Sequence, residues 1–132
     1  MITAIDTNIL FDILLSDPKH VESSIALIEQ ASQEGVLIIG EAAYAELAAY
    51  FSTEQALNDF LSNTGIEFSP SSPNALFMAG RMFRDYRAAG GQRQRILADF
   101  LIGAHAIMHA ERLLTRDRGF YRDYFPNLCM LE

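Results

Sequence analysis

One cysteine in 132 residues rules out an internal disulfide and fits a reducing compartment. That residue, Cys129, sits in the apolar run Leu128-Cys129-Met130-Leu131 and is expected in the core, with no chemistry assigned to it. No apolar run approaches the ~18 residues that cross a membrane. The opening residues have neither the basic stretch nor the long apolar stretch of a secretory signal, so the expectation is a cytoplasmic protein with no membrane partner. Cysteine and histidine do not cluster, which argues against zinc. Internal repeats and low-complexity segments are missing too. With half of the residues hydrophobic, the chain is expected to fold as one packed domain over residues 1–132.

The formal net charge of −7 counts against nucleic-acid binding until its distribution is considered. Between Arg81 and Arg95 stand five arginines (81, 84, 87, 93 and 95) and one acid, Asp85, so this segment carries +4 and the remainder −11. Arg81, Arg84 and Arg87 follow helical spacing and read equally well as a solvated face. Arg93 and Arg95, just ahead of Asp99, are the better candidates for holding a polyanion.

Apolar runs alternate with amphipathic ones. Ile2–Ile5 and Val36–Ile39 read as short buried strands, Ile66–Phe68 and Arg112–Thr115 as two more, and Leu128–Leu131 as a closing strand. Helices are expected after Thr7 or Asn8 as cap, from about Val21 to Gly35, over Glu41–Phe51 and Thr53–Leu61, from Asn74 to Ala89 ahead of Gly90-Gly91, over Leu97–Ala110 and over Arg118–Tyr124. Strands alternating with helices predict an α/β three-layer sandwich, a mostly parallel central sheet flanked by helices.

That topology collects acids. Asp6 and Asp117 follow strand ends, and Glu46 lies about one turn into a helix entered directly from a strand. Asp99 begins a helix that feeds a strand and therefore starts at the opposite edge from where that strand starts. All four belong at the carboxyl rim of the sheet, where open parallel sheets bind ligands. Carboxylates crowded together raise one another's pKa and destabilise the fold unless a cation neutralises them. A hard divalent ion such as Mg2+ or Mn2+ takes oxygen ligands, and the chemistry it supports next to a phosphodiester is hydrolysis.

Asp6-Thr7-Asn8, Tyr44-Ala45-Glu46-Leu47, Ala98-Asp99-Phe100 through His105-Ala106, and Leu114-Thr115-Arg116-Asp117-Arg118-Gly119-Phe120 resemble the four motifs of the PIN-domain ribonucleases, and the compact length resembles the VapC-like toxins of toxin–antitoxin pairs. The resemblance spans nearly the whole chain. It implies a PIN-like parallel sheet and a Mg2+- or Mn2+-dependent endoribonuclease acting on RNA, with Asp6, Glu46, Asp99 and Asp117 as catalytic metal ligands. It also implies a homodimer and inhibition by a small DNA-binding antitoxin. Asn8 and Thr115 would orient the acids by hydrogen bonding. The run Arg116-Asp117-Arg118-Gly119 departs from relatives that place an Asn or Asp further along, which leaves the fourth ligand open.

Blander readings compete at each position. Asp6 could only cap a helix, Glu46 could be a solvated helix residue, Asp99 could serve the helix dipole, and Asp117 could pair with Arg116 or Arg118. His20 reads as an inert loop residue, and His105 and His109, one turn apart, as core or interface because no zincin glutamate intervenes. Glu41 reads as a helix cap. Phe11, Tyr44, Tyr50, Phe51 and Phe83 read mostly as packing, with a dimer or antitoxin groove as the other use. A haloacid-dehalogenase-like phosphatase would want a second acid where Asn8 stands. A housekeeping RNA-processing PIN nuclease and a non-cutting PIN-like module that binds RNA or protein are the remaining alternatives.

Overall fold

Adjacent residues of each central strand enter opposite cores. In β1 (Ile2–Ile5) Ala4 faces one cluster and Ile5 the other; in β2 (Val36–Ile39) Ile38 opposes Leu37 and Ile39. In the fourth strand Leu113 opposes Leu114. This period of two, with both faces apolar, makes a sheet that must be covered on each side. The computed structural model describes residues 1–91 and 96–131.

Its sheet has five parallel strands in the order β3-β2-β1-β4-β5, with β3 at Ile66–Phe68, β4 at Arg112–Leu114 and β5 at Met130–Leu131. Seven helices are present among the described residues: α1 (Thr7–Leu14), α2 (Val21–Glu34), α3 (Glu41–Ala48), α4 (Glu54–Thr64), α5 (Pro73–Ala88), α6 (Leu97–His109) and α7 (Arg118–Tyr124). One core gathers Ile9 and Leu10 of α1, Ile28 and Ala31 of α2, Leu47 of α3, and Leu57 and Leu61 of α4. The second gathers Ala75 and Ala79 of α5, Phe100, Ile102 and Ala104 of α6, and Phe120 and Tyr121 of α7. Full burial of one such large apolar side chain contributes about 1.5–3 kcal/mol, so the two clusters supply the main stabilisation.

Local chemistry sets several boundaries. Thr53 and Ser72 cap α4 and α5 by accepting the N–H of Ala56 and Ala75, and Pro73 opens α5. Gly65 closes α4 at φ 72°, a left-handed conformation that glycine adopts without strain. Gly40 permits a close approach, because a Cβ there would lie 2.8 Å from the His105 ring.

The α/β sandwich with its parallel sheet is as the sequence predicts. The first helix begins one residue earlier than a Thr7 or Asn8 cap would place it: Asp6 occupies the cap position with extended backbone, and Thr7 and Asn8 lie in the first turn. Three ends are shorter. The third helix stops at Ala48, β4 stops at Leu114, and the closing strand is only Met130–Leu131. Cys129 is exposed, not a core residue. Its carbonyl accepts the N–H of Leu113, so its backbone belongs to the sheet edge while the flanking Leu128 and Leu131 supply the burial.

Candidate functional site

Strand order reverses at β1. From it the chain moves outward through β2 to β3, then crosses to β4 and β5 on the other side, which makes the carboxyl ends of β1 and β4 the topological switch point. Asp6 follows β1 there, and its N–H donates to the Leu114 carbonyl at 2.9 Å. Its side chain is only 6% exposed.

Hydroxyls surround that carboxylate. Oδ2 accepts from Thr115 Oγ1 at 2.8 Å and from the Tyr121 phenol at 3.2 Å. Thr7 Oγ1 lies 3.4 Å from Asp6 Oδ1 and 3.0 Å from Glu46 Oε1; with one proton to give, its shorter contact is Glu46. Thr115 is fixed in turn: its oxygen accepts from Asn8 Nδ2 at 3.4 Å and from the Asp117 N–H at 3.0 Å. One threonine thus ties the loop carrying Asp117 to Asp6. Asn8 Oδ1 also accepts the Arg116 N–H at 3.3 Å, which adds a second tie between α1 and that loop.

Asp99 lies in the first turn of α6, where its Oδ2 accepts the Ile96 N–H, otherwise free among the described residues, at 2.9 Å. It is a helix-terminal cap and a member of the acidic rim at once. Burial holds the Asp6 carboxyl above its usual range, and the Asp99 charge adds to this, against the hydrogen bonds from Thr115 and Tyr121 that favour the anion. Burial likewise raises Glu46; the Thr7 hydrogen bond opposes it, and the charges of Asp6 and Asp99 reinforce it. The Tyr121 phenol is pushed far up, by burial first and then by the charges of Asp6, Asp99 and Asp117. It therefore stays a donor at any ordinary pH. The structure thus brings Asp6, Glu46 and Asp99 within electrostatic reach of one another and ties Asp117 to them through Thr115 and Tyr121. Arg93 and Arg95 lie outside the described residues.

No three of these four acids bring donor atoms within 4.8 Å of one another; among the described residues that spacing is met by Asp12, Asp17 and His20. That trio is already engaged. Asp12, 2% exposed, accepts two bonds from Arg116, Nε at 2.7 Å and Nη2 at 2.8 Å, plus the Ser24 hydroxyl at 2.7 Å. Asp17 Oδ2 is 2.8 Å from His20 Nδ1, a local contact in the loop before α2. A cation among them would have to displace Arg116.

Thr7, Tyr121, Asp12 and Arg116 escaped sequence reasoning. Tyr121 lies one helical turn beyond Asp117, a spacing that could have flagged it. Asp12 gives no such signal, because its burial depends on a partner 104 residues away. Elsewhere, His105 and His109 tie α6 to the loop before α5: His105 Nε2 lies 2.7 Å from the Ser69 carbonyl, and His109 Nε2 accepts the Ser72 N–H at 2.9 Å. Glu41 accepts the Ser71 N–H there at 2.8 Å.

A five-stranded parallel sheet with acids gathered at its switch point defines an α/β protein with an acidic candidate site. The PIN domain family profile matches residues 3–125, and the chain belongs to that family. Among curated proteins none matches it in sequence. Among solved structures, VapBC2 from Rickettsia felis bound to a DNA fragment from its promoter is 26% identical with a TM-score of 0.69, covering 99% of this chain and 98% of that one. VapBC-1 from nontypeable Haemophilus influenzae is 19% identical with a TM-score of 0.71, covering 100% and 98%. FitAcB from Neisseria gonorrhoeae is 20% identical with a TM-score of 0.65, covering 100% and 97%. The last two are similar in fold.

Proposed function

We propose that this chain is a divalent-metal-dependent endoribonuclease and the toxin of a toxin–antitoxin pair, acting in the cytoplasm as a homodimer and restrained by a small DNA-binding antitoxin. The observation that carries the reading is the buried Asp6 at the switch point, held by hydroxyls and electrostatically coupled to Glu46 and Asp99. Among the described residues neither Asp6 nor Glu46 makes an ion pair, which is an arrangement that favours a bound cation. The donor set is all oxygen, as Mg2+ or Mn2+ prefers, and its wide spacing suits an ion that keeps several of its waters. Asp6, Glu46, Asp99 and Asp117 would hold it. Bound there, the ion would supply Lewis-acid activation of water and neutralisation of charge on the phosphodiester.

The protein's own groups prepare that site. Thr115 and Tyr121 donate to one oxygen of Asp6 and fix the plane of its carboxylate, while Thr7 aligns Glu46. Asn8 holds Thr115, so a disturbance at Asn8 reaches Asp6 through one intervening hydroxyl. The similarity to a VapBC complex at 26% identity over nearly the full length supports the toxin assignment and an antitoxin partner. Purified protein incubated with single-stranded RNA, in Mg2+ and separately in EDTA, tests the activity. Cleavage only with metal, and none by Asp6→Asn, is expected. Intact RNA in every sample would leave the non-cutting module as the better reading.

A further inference from the structure

Beside the carboxylate rim lies an open cleft of ≈ 450 Å³ bordered by α2, the loop after β4, and α7. His20, just before α2, and Ser23 in its first turn line one wall; Thr115, Arg116, Arg118 and Arg122 line the other. Thr115 is the shared residue: it borders the cleft, and its hydroxyl donates to Asp6. The cleft therefore starts where the acidic site ends, and Asp117 stands in sequence between two of its arginines.

Its chemistry is one-sided. Three arginines, Arg116, Arg118 and Arg122, line it in a chain whose net charge is −7, and all but one of the ten lysines and arginines are arginine. Arg116 is preorganised: Asp12 fixes Nε and Nη2, while Nη1 donates to no described group. An arginine held by one edge loses little further entropy when another edge meets an anion. Arg122 is exposed and makes no ion pair among the described residues. The hydroxyl of Ser23 and the first turn of the fourteen-residue α2 add polar groups on the facing wall. Among the described residues no Phe, Tyr or Trp lines the cleft; its one aromatic side chain is His20, whose Nδ1 lies 2.8 Å from Asp17.

We propose that this cleft carries the phosphate backbone of the RNA strand flanking the cleaved bond, with Arg116 and Arg122 as contacts that confer affinity without reading sequence. The inference rests on the ribonuclease reading and specifies where the substrate runs. Phosphate contacts position a nucleic acid, whereas discrimination comes from contacts to base edges or stacked bases. Loss of Arg122 should therefore weaken all RNA sequences alike and leave the choice of cleavage site unchanged.

The test uses a fluorescent single-stranded oligoribonucleotide, bound in EDTA over a series of salt concentrations, to the wild type, Arg122→Ala, Arg122→Lys and Arg84→Ala. Arg84 is an exposed arginine of α5 outside the cleft. Cleavage patterns in Mg2+ are recorded for the same proteins. Arg122→Ala should bind several-fold more weakly and lower the salt slope by about 0.7, the value for one phosphate contact to a single strand. Arg122→Lys should recover much of the binding, Arg84→Ala should match the wild type, and the cleavage pattern should not change. An unchanged slope in Arg122→Ala overturns the proposal, as does an equal loss in Arg84→Ala. Unaltered RNA binding together with lost binding of an acidic antitoxin peptide would make the cleft a protein-docking surface and overturn it too. If the wild type binds RNA through Arg122 but never cuts it, the nuclease reading falls and the cleft assignment stands.

Discussion

The two rims of the sheet bury charge in opposite ways. At the amino rim Arg112 is 7% exposed, and its Nε donates to Thr3 Oγ1 at 2.8 Å while Nη1 approaches Glu34 at 3.5 Å. Nearby, Glu111 accepts the N–H of Ile2, and the terminal amine donates to the Glu34 carbonyl. At the carboxyl rim the buried Asp6 has hydroxyls for neighbours and further acids beyond them. Opposite charges brought together are a structural solution; like charges brought together cost stability and persist where a cation or substrate completes them. Asp12, in the helix that follows Asp6, repeats the lesson, since its carboxylate is as buried but is answered by Arg116.

The largest effect should come from removing one member of the acidic rim. Asp6→Asn is expected to lower RNA cleavage at least a hundredfold in a gel assay with Mg2+, with the folded state retained by circular dichroism, because an amide keeps the shape and drops the anionic ligand. At the opposite rim, Arg112→Met should do the reverse. Loss of the buried guanidinium, which leaves Thr3 and Glu34 without it, should cost about 2–4 kcal/mol in urea unfolding and leave the cleavage rate of the remaining folded protein intact.

Tyr121→Phe lies between the two. It deletes the phenolic donor to Asp6 and should cost about 1 kcal/mol of stability. It should also lower cleavage several-fold, because Asp6 then relies on Thr115 alone to orient that oxygen. Equal activity in Tyr121→Phe would mean that Thr115 suffices.

The smallest effects are in the pH dependence of the metal-free protein. Asp6 has a folded pKa above its unfolded value, so the folded state binds more protons in that interval. Its contribution is complete below the unfolded value of about 3.9 and is lost as pH rises through the folded one. Melting in EDTA should show wild-type stability declining there, with a shallower slope in Asp6→Asn. His105 gives the opposite sign: burial lowers its pKa, so its contribution is present above the unfolded value of 6.5 and is lost as pH falls below that towards the folded one. His105→Gln should flatten that acid-side loss.

The fold was legible because short apolar runs separated by amphipathic ones leave few alternatives to a parallel sheet covered on both faces. The rim was legible for the same reason: once strand direction is known, Asp6, Glu46 and Asp99 are assigned to one edge by connectivity alone. What sequence did not reveal depends on contacts between distant segments. Tyr121 reaches Asp6 across 115 positions, and Asp12 meets Arg116 across 104, so neither role is carried by local spacing. Helix and strand ends shifted by a few residues because capping depends on the geometry of the turn, as at Asp6, where the cap position carries no side-chain cap bond. The apolar neighbours of Cys129 suggest burial, but the residue precedes the short edge strand and is exposed.

On the proposed function the acidic rim, rather than the tighter Asp12, Asp17 and His20 trio, receives the divalent ion. Calorimetric titration of the metal-free protein with Mn2+ separates the two, using wild type, Asp6→Asn and Asp17→Asn. Binding is expected in the wild type and in Asp17→Asn and lost in Asp6→Asn. Retention of full binding in Asp6→Asn, with loss in Asp17→Asn, would place the ion beside Arg116 and contradict the account.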